Sequence, residues 1–362
     1  MTARLHGVRL AGVASAVPAQ AVTADETGAA MGMTVKEIQK VAKLTGVQRR
    51  HIAPAGMCTS DIAELAANRL LADLQWDPKS VRTLVMVTQT PDYDLPATAC
   101  LLQDRLDLST ECAAVDVSLG CSGYVYGLWL CAGMIAAGSV DRALLLVGET
   151  LSLLVSPQDR GTAFLFGDGA AATALEKDGH APPMDFVLET DGKGKDSLIV
   201  PAGGYRNPVT ADSIERRPDA EGRLRRPLDL YMDGAEVLRF TLERVPSLVE
   251  KLLAVSGWTM DQLDAFVPHQ ANRFMLHLLI EQSKIPPEKL VLSLEEFGNT
   301  SSASIPLTLT HGLAPRLRQE TMRLLLAGFG VGWSWGAVSV TCGPMVMSDL
   351  VLAVPAEAAP AA

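Results

Sequence analysis

Basic residues are scarce relative to acidic ones in this sequence of 362 residues. The chain has 31 Lys and Arg against 41 Asp and Glu, which gives a formal net charge of −10 at pH 7. Phosphate binding draws its affinity from Lys and Arg, so this balance argues against a general nucleic-acid-binding protein. It leaves room for a local basic patch, but we expect no nucleic-acid partner.

Cysteine is also infrequent, and its spacing excludes two classes of protein. The sequence contains Cys58, Cys100, Cys112, Cys121, Cys131 and Cys342. No pair has the C-x-x-C spacing of a structural metal site, and the six residues form no dense disulfide framework. The pattern indicates a reduced, cytoplasmic protein without a structural metal.

Membrane-spanning segments are not expected, although one stretch is long enough. Residues 115–140 (VDVSLGCSGYVYGLWLCAGMIAAGSV) have no charged side chain after Asp116. Glycines interrupt the stretch and an apolar strand pattern follows it, so we interpret it as a helix buried at the centre of a layered protein. The first residues resemble a weak secretion signal, but their apolar side chains alternate, which indicates a β-strand that ends at Pro18.

Strand patterns alternate with helical patterns along the chain. Hydrophobic residues make up 48% and charged residues 20%, as in a globular protein with a large core. We predict strands over 81–88, 112–118, 142–149 and 170–176, and helices over 60–74, 122–137, 235–255, 271–283 and 305–318. This alternation predicts an α/β fold with largely buried sheets.

The two halves of the chain follow a similar plan. Each has a segment that leads into a helix start rich in small residues, DVSLGCSG and EEFGNTSSASIP, and each then ends in a Gly-rich strand. The order of elements therefore indicates weak internal symmetry. Residues 206–227 are charged and contain proline, which favours a loop, and the final VPAEAAPAA favours a disordered tail.

Cys121 is the best candidate for a nucleophile. It lies where a strand gives way to a helix, and the N–H groups and dipole of a helix start favour the thiolate, which is the reactive form. The small neighbours Gly120, Ser122 and Gly123 let backbone and substrate approach closely. The stretch also fits a buried cysteine that serves only in packing, and the residues alone leave both interpretations open.

Three further residues could assist such a nucleophile. His269, in DAFVPHQANRF, follows a short apolar strand, and strand ends in α/β folds point into active-site clefts. Asn299, in EEFGNTSSASIP, either caps a helix or donates a hydrogen bond to a developing oxyanion. The Gly-rich GFGVGWSWG lacks the helix and the acidic residue of a dinucleotide fingerprint, so Gly332 is expected to present a backbone N–H to that oxyanion instead.

Taken together, these segments resemble the thiolase superfamily and, within it, the β-ketoacyl-acyl-carrier-protein (ACP) synthase III type. The resemblance covers about residues 5–345 and rests on TGVQRRHIA, DVSLGCSGYVYGL, DRGTAFLFGDGAAATAL, MDGAEVLRF, VPHQAN, FGNTSSASIPL and GFGVGWSWG. It implies a homodimer with a duplicated five-layer αβαβα fold. The implied N-terminal half, 1–185, carries the cysteine, the C-terminal half, 186–349, carries His and Asn, and 350–362 form a disordered tail.

The resemblance also implies a reaction. Cys121, His269 and Asn299 fall on the Cys-His-Asn catalytic set of the family, with the N–H groups of Cys121 and Gly332 as the oxyanion hole. Cys121 would accept the acyl group of an acyl-CoA, and malonyl-ACP would then lose CO2 and condense with it to give a 3-oxoacyl thioester for fatty acid biosynthesis. Coenzyme A enters as the substrate thioester, and no metal or redox cofactor is implied.

Departures from the family pattern concern substrate recognition. The Trp and Arg that clamp CoA in the family correspond to Lys40 and Leu44, whereas Arg160 is retained as a contact for the nucleotide. The Arg after HQAN-x is displaced to Arg273, and Arg239 remains where a basic residue can meet an acidic carrier protein. The acyl donor could therefore be an acyl-ACP or the thioester of another carrier.

The residue before Pro96 bears on chain length. In the family this residue enters the acyl tunnel of the partner subunit, and here it is Leu95 instead of a large aromatic. The resemblance therefore implies room for a medium-length or branched acyl chain.

Three rival functions fit the same scaffold. The first is an acyltransferase that acts on an alcohol or amine, and Asn299 argues against it because decarboxylative condensation uses that donor. The second is a natural-product condensing enzyme with a non-malonyl acceptor, which the altered CoA clamp favours. The third is a non-catalytic partner subunit, which is expected to have lost at least one of the three catalytic residues.

Overall fold

Two β-sheets and the helices that cover them form the fold, in a computed structural model that describes residues 1–219 and 222–355. The strands are β1 (Thr2–Leu5), β2 (Val8–Pro18), β3 (Ala21–Thr23), β4 (Arg49–His51), β5 (Thr83–Val87), β6 (Ala113–Val117), β7 (Arg142–Glu149), β8 (Gly169–Lys177), β9 (Met184–Thr190), β10 (Leu198–Ile199), β11 (Arg217–Pro218), β12 (Leu224–Arg225), β13 (Tyr231–Met232), β14 (Ala265–Pro268), β15 (Met322–Gly330), β16 (Ser334–Cys342), β17 (Val346–Met347) and β18 (Val351–Ala353). The α-helices are α1 (Ala24–Ala30), α2 (Val35–Thr45), α3 (Thr59–Leu74), α4 (Thr98–Arg105), α5 (Gly123–Ala136), α6 (Gly234–Ser256), α7 (Arg273–Gln282), α8 (Leu294–Phe297), α9 (Ser304–Thr308) and α10 (Ala314–Leu317).

The first sheet has the strand order β17-β2-β8-β7-β5-β6, with β18 also paired to β2. Its strands β6, β5 and β7 run parallel, and β8 is antiparallel to both β7 and β2. Both faces of these central strands are covered, which explains why β7 reads RALLLVGE with hardly an interruption.

The second sheet has the order β1-β9-β16-β15-β14. Strands β14 and β15 are parallel, and the other neighbours are antiparallel. Its long strands β15 and β16 are almost wholly buried, so this sheet too is covered on both faces.

Helix α5 lies between the two sheets. Its side chains join one hydrophobic cluster with β5, β7 and β8 of the first sheet and with β15 and β16 of the second. Helices α3 and α4 cover the outer face of the first sheet, and α6 and α7 cover the outer face of the second. This arrangement confirms the five-layer αβαβα fold.

The central position of α5 explains the apolar stretch 115–140. A helix that packs against sheets on opposite sides needs apolar residues all round, which also makes it look like a membrane span in sequence. Of the helices within residues 1–219 and 222–355, none combines the length and the apolar character needed to cross a bilayer.

Most of the predicted elements are confirmed. The helix predicted over 305–318 is present as an unbroken succession of α9, a π-helical turn at Leu309–Leu313, and α10. Pro315 lies in the first turn of α10, and proline has no N–H to continue the hydrogen bonds of the preceding turn.

The predicted boundary between the two halves of the chain does not coincide with the boundary between the two sheets. The boundary between 185 and 186 falls inside β9, and β1 pairs with β9 in the second sheet. The tail prediction is wrong for Val351–Ala353, because β18 pairs in parallel with Ala16–Pro18 and buries Ala353. Residues 356–362 of that tail lie outside the described residues.

The predicted loop 206–227 contains local structure of its own. Strands β11 and β12 pair in antiparallel fashion within it. The Ser156 hydroxyl donates to the Leu224 carbonyl, which ties β12 to the segment just before Arg160.

Candidate active site

Cys121 lies in the turn between β6 and α5, one residue before the helix cap Ser122. Its side chain is buried, with 7% exposed. A Cβ placed on Gly330 would come within 2.8 Å of the Cys121 sulfur, and a Cβ on Gly328 would come within 2.8 Å of the Cys121 carbonyl oxygen. The glycines at the end of β15 are therefore what allows the nucleophile to rest against the second sheet.

The thiol of Cys121 is protonated in the resting site. Burial raises its pKa to about 11, against the lowering effect of the Ser301 hydroxyl and of backbone N–H groups. The thiolate expected from the helix start is therefore not the resting state, because desolvation of the charge outweighs the helix N–H groups. The chemistry then requires a group that takes the thiol proton.

Two backbone N–H groups act on the thiol of Cys121. The N–H of Cys121 itself and the N–H of Val331 both lower its pKa. The Gly-rich pattern predicts Gly332 as the second oxyanion donor, and in the structure it is the preceding N–H, that of Val331, that lowers the pKa of the thiol. Strand β15 ends at Gly330, so Val331 is the first residue to turn over Cys121, and Gly332 follows with a φ of +139°.

His269 directly follows β14, as the strand pattern predicts. Its Nδ1 lies 2.8 Å from the Ser304 Oγ, and its ring packs edge-on against Phe329 with 5.7 Å between ring centroids. Burial lowers the pKa of His269 to about 4, so the imidazole is neutral near pH 7. A neutral imidazole can accept a proton at one nitrogen and donate from the other.

Ser304 bears on which nitrogen of His269 carries the proton. Its hydroxyl lies 2.7 Å from the Ser301 carbonyl oxygen and 2.8 Å from the His269 Nδ1. With one proton and two acceptors in reach, the hydroxyl can hydrogen bond to either tautomer of the ring. The other ring nitrogen, Nε2, can thus be an acceptor or a donor.

Asn299 is held in a turn that only a glycine can precede. Gly298 has a φ of +65°, and a Cβ there would come within 2.5 Å of the Leu165 carbonyl oxygen. The Asn299 Oδ1 accepts the N–H of Ser301 at 2.9 Å, so the amide nitrogen is the end left for a substrate. This geometry favours the donor role of Asn299.

The structure brings the three predicted catalytic residues together. Cys121, His269 and Asn299 line one narrow cavity of about 60 Å³. The rest of its lining is Leu165, Phe166, Leu198, Met232, Gly234, Val237, Thr241, Ala271, Asn272, Met275, Phe329 and Gly330.

A second, wider cavity of about 590 Å³ also reaches Cys121. It shares Phe166 and Leu198 with the narrow cavity, and much of its wall is aliphatic. Cys121 therefore lies where a narrow cavity meets a wider, largely apolar chamber.

The residues predicted to bind substrate lie elsewhere. Arg273 lines a separate surface cavity of about 660 Å³ and pairs with Glu295 at 3.1 Å. Arg239 pairs with two glutamates of its own helix. Arg160 contacts Glu37 at 3.4 Å, and Leu95 is 82% exposed. None of the four lines either cavity that contains Cys121.

Four polar residues around Cys121 were not predicted from the sequence. Ser301 and Ser304 lie in the TSSAS segment, where they resemble ordinary helix caps. Glu149 is fully buried at the end of β7, and burial raises its pKa to about 8. Gln89, which lines the wide cavity, follows β5. A charged residue at the end of an apolar strand was the available signal for Glu149.

Family models match two parts of the chain. The model described as 3-oxoacyl-ACP synthase III matches residues 115–192, and the model for the C terminal of the same enzyme matches residues 253–342. The first match contains Cys121, and the second contains His269 and Asn299.

Relatives and solved structures agree with these models. A β-ketoacyl-ACP synthase III of Streptomyces coelicolor is 36% identical over 339 residues, which are 92% of this chain and 96% of the relative. The crystal structure of a 3-oxoacyl-ACP synthase from Burkholderia xenovorans has a TM-score of 0.91 at 42% identity and covers 97% of this chain and 98% of its own. The priming β-ketosynthase of the R1128 polyketide pathway has a TM-score of 0.79 at 27% identity, with 94% and 97% covered.

Proposed function

The chain belongs to the 3-oxoacyl-ACP synthase III family, and on this premise we propose that it condenses an acyl thioester with a malonyl thioester through an acyl-cysteine intermediate. The acyl donor proposed is an acyl-CoA and the acceptor is malonyl-ACP, in a step of fatty acid biosynthesis. The supporting observation is the junction at Cys121, where the narrow cavity with His269 and Asn299 meets the apolar chamber.

In the first half-reaction Cys121 takes the acyl group. Its sulfur forms a bond to the thioester carbonyl carbon, the carbon–sulfur bond to coenzyme A breaks, and the N–H groups of Cys121 and Val331 stabilise the oxyanion. Because burial keeps the pKa of the thiol at about 11, the sulfur must lose its proton during the attack. The His269 Nε2 accepts that proton and returns it to the departing thiolate of coenzyme A.

In the second half-reaction the malonyl thioester loses CO2. Its carbon–carbon bond breaks, and the electron pair forms an enolate whose oxygen receives hydrogen bonds from the Asn299 amide and the His269 Nε2–H. The enolate carbon attacks the acyl-cysteine carbonyl, and the carbon–sulfur bond to Cys121 breaks. The Cys121 sulfur leaves as a thiolate and takes up a proton from solvent, and the product is a 3-oxoacyl thioester. These steps need charge stabilisation and proximity, and the proposal includes no metal or redox cofactor.

The proposed partners follow from the same scheme. Strand β6 is the exposed edge of the first sheet, and its Val115 is 44% exposed, which supports a homodimer in which this edge is covered. All six cysteines are free, which supports a reducing, cytoplasmic location. The exposed Arg239 remains the proposed contact for an acidic carrier protein, and Arg160 the proposed contact for coenzyme A.

Intact-protein mass spectrometry tests the proposal. The enzyme is mixed with acetyl-, butyryl-, octanoyl- and dodecanoyl-CoA, and then with malonyl-ACP, with Cys121→Ser as the control. We expect an acyl mass gain that requires Cys121, is discharged by malonyl-ACP and yields a 3-oxoacyl product. Absence of a gain from every CoA would refute the acyl-CoA donor and direct attention to acyl-ACP.

The second candidate function is a natural-product condensing enzyme with a non-malonyl acceptor. The third candidate is an acyltransferase on the same scaffold. The observation that favours the second candidate is the similarity to a polyketide priming ketosynthase, together with Lys40 and Leu44 at the CoA clamp positions. An acyl-enzyme that forms on Cys121 but is not discharged by malonyl-ACP would support these candidates.

A further inference from the structure

The acyl chamber has an amide in its wall next to the nucleophile. We propose that Gln89 selects acyl groups that carry a hydroxyl or oxo oxygen close to the thioester, which makes 3-hydroxyacyl and 3-oxoacyl thioesters preferred over plain aliphatic ones. This inference rests on the proposed function, because it assigns the chamber to the acyl chain.

The Gln89 side chain lies against the residue that precedes the nucleophile. A Cβ placed on Gly120 would come within 2.1 Å of the Gln89 Oε1 and within 3.1 Å of the Ser301 Oγ. The Ser301 Oγ is itself 3.8 Å from the Cys121 sulfur. The amide therefore lies beside the first atoms of any chain attached to Cys121, and Gly120 is the residue that makes room for it.

A buried carboxyl fixes the backbone of Gln89. The Gln89 N–H donates to the Glu149 Oε2 at 3.0 Å, and the Thr90 hydroxyl donates to the same oxygen at 3.1 Å. The other oxygen of Glu149 accepts from the Ser302 hydroxyl at 3.3 Å. Glu149 thus connects the segment that carries Gln89 to the turn that carries Ser301, which holds the backbone of both segments beside Cys121.

The Gln89 amide is unpaired within the part of the chain that the structure describes. Among residues 1–219 and 222–355, no side chain or backbone group hydrogen bonds to the Gln89 amide, although its backbone N–H is bonded. Much of the surrounding wall is aliphatic, including Leu151, Leu198 and Leu230. An aliphatic chain that fills the chamber removes water from the amide and returns no hydrogen bond.

An oxygen on the third acyl carbon replaces the hydrogen bonds that the Gln89 amide loses when water leaves the chamber. The amide can donate to an oxo group and can both donate to and accept from a hydroxyl, so either substituent replaces the lost water. Sites that hydrogen bond a substrate oxygen discriminate against analogues that lack it. From the usual cost of a buried, unpaired polar group, we expect a preference of roughly ten- to a hundredfold.

The test compares acyl groups that differ by one oxygen. The rate at which Cys121 is acylated is measured by intact mass for butyryl-CoA, 3-hydroxybutyryl-CoA and acetoacetyl-CoA, separately and in competition. The variant Gln89→Met keeps the length of the side chain and removes its hydrogen bonds. Gln319→Met, at an exposed position outside both cavities, is the matched control.

We expect the unmodified enzyme and Gln319→Met to favour the oxygenated acyl groups, and Gln89→Met to lose this preference by gaining rate with butyryl-CoA. A wild-type preference for butyryl-CoA would overturn the inference even if Gln89→Met failed to fold. Retention of the preference in Gln89→Met would also overturn the inference. So would a change from a dimeric wild-type enzyme to a monomeric Gln89→Met variant, because Gln89 would then stabilise a subunit interface instead of binding substrate. If no thioester acylates Cys121, the proposed function fails first and this inference falls with it.

Discussion

Replacement of Ser304 by alanine should separate the two half-reactions. In the native site the Ser304 hydroxyl can donate to the His269 Nδ1 at 2.8 Å or to the Ser301 carbonyl at 2.7 Å. Without it, the Ser301 carbonyl is the remaining acceptor near the ring, and it hydrogen bonds to a protonated ring nitrogen. Nδ1 then keeps its proton and Nε2 stays bare.

A bare Nε2 can still accept the Cys121 proton, but it cannot donate to the enolate of the malonyl thioester. Loss of one such hydrogen bond in a buried site costs about 1–3 kcal/mol, which corresponds to a rate reduction of roughly ten- to a hundredfold. We therefore expect Ser304→Ala to release CO2 from malonyl-ACP that much more slowly, while the rate of Cys121 acylation changes within a few-fold.

The assay follows each half-reaction separately. Acylation is measured by intact mass in a single turnover, CO2 release is measured with pre-acylated enzyme, and the tautomer of His269 is read from the ¹⁵N shifts of its ring. Ser302→Ala is the matched control, because Ser302 lies in the same turn and hydrogen bonds to Glu149 instead of His269. Equal slowing of both half-reactions, or an unchanged tautomer mixture in Ser304→Ala, would refute the role assigned to this hydroxyl.

Three further perturbations have defined outcomes. Gly330→Ala should abolish acylation with little loss of secondary structure by circular dichroism, because its Cβ would come within 2.8 Å of the Cys121 sulfur; an active variant would place the reacting sulfur elsewhere. Burial raises the pKa of Glu149 to about 8, so the folded state holds a proton that the unfolded state releases above about pH 4.5, and stability falls as pH rises from 4.5 to 8. Glu149→Gln should remove that part of the slope in thermal melts, and an unchanged slope contradicts the assignment. Val115→Lys should yield monomers in sedimentation if β6 is the dimer edge, whereas an intact dimer places the interface on another surface.

The layered architecture could be predicted from the sequence because hydrophobic periodicity records burial. Strands such as β7 are apolar on both faces, and α5 is apolar all round. These patterns predict that other layers of the fold cover both sides of each element. The π-helical turn within the helix predicted over 305–318 could not be predicted from the sequence, because the apolar spacing is helical on both sides of that turn. The strand β18 was missed because a three-residue edge strand carries almost no periodic signal.

The residues assigned to the candidate site could be predicted, but their electrostatic state could not. Cys121, His269 and Asn299 lie in the motifs that carry the family resemblance, and the structure places all three around one cavity. The protonated thiol depends on how completely the second sheet covers Cys121, which is a tertiary property. The same limit applies to the oxyanion donors, because a Gly-rich segment does not show in sequence whether the N–H of Val331 or that of Gly332 turns towards the sulfur.

The exchanged strands constrain how the protein can be made. Strand β1 completes the sheet built mainly from the second half of the chain, and β17 and β18 complete the sheet built mainly from the first half. During synthesis, Thr2–Leu5 must wait for β9 before they gain a partner, and β2 lacks its outer neighbours until residues 346–353 have left the ribosome. Neither half can finish folding alone, so the nascent chain exposes unpaired strand edges for nearly the whole of translation.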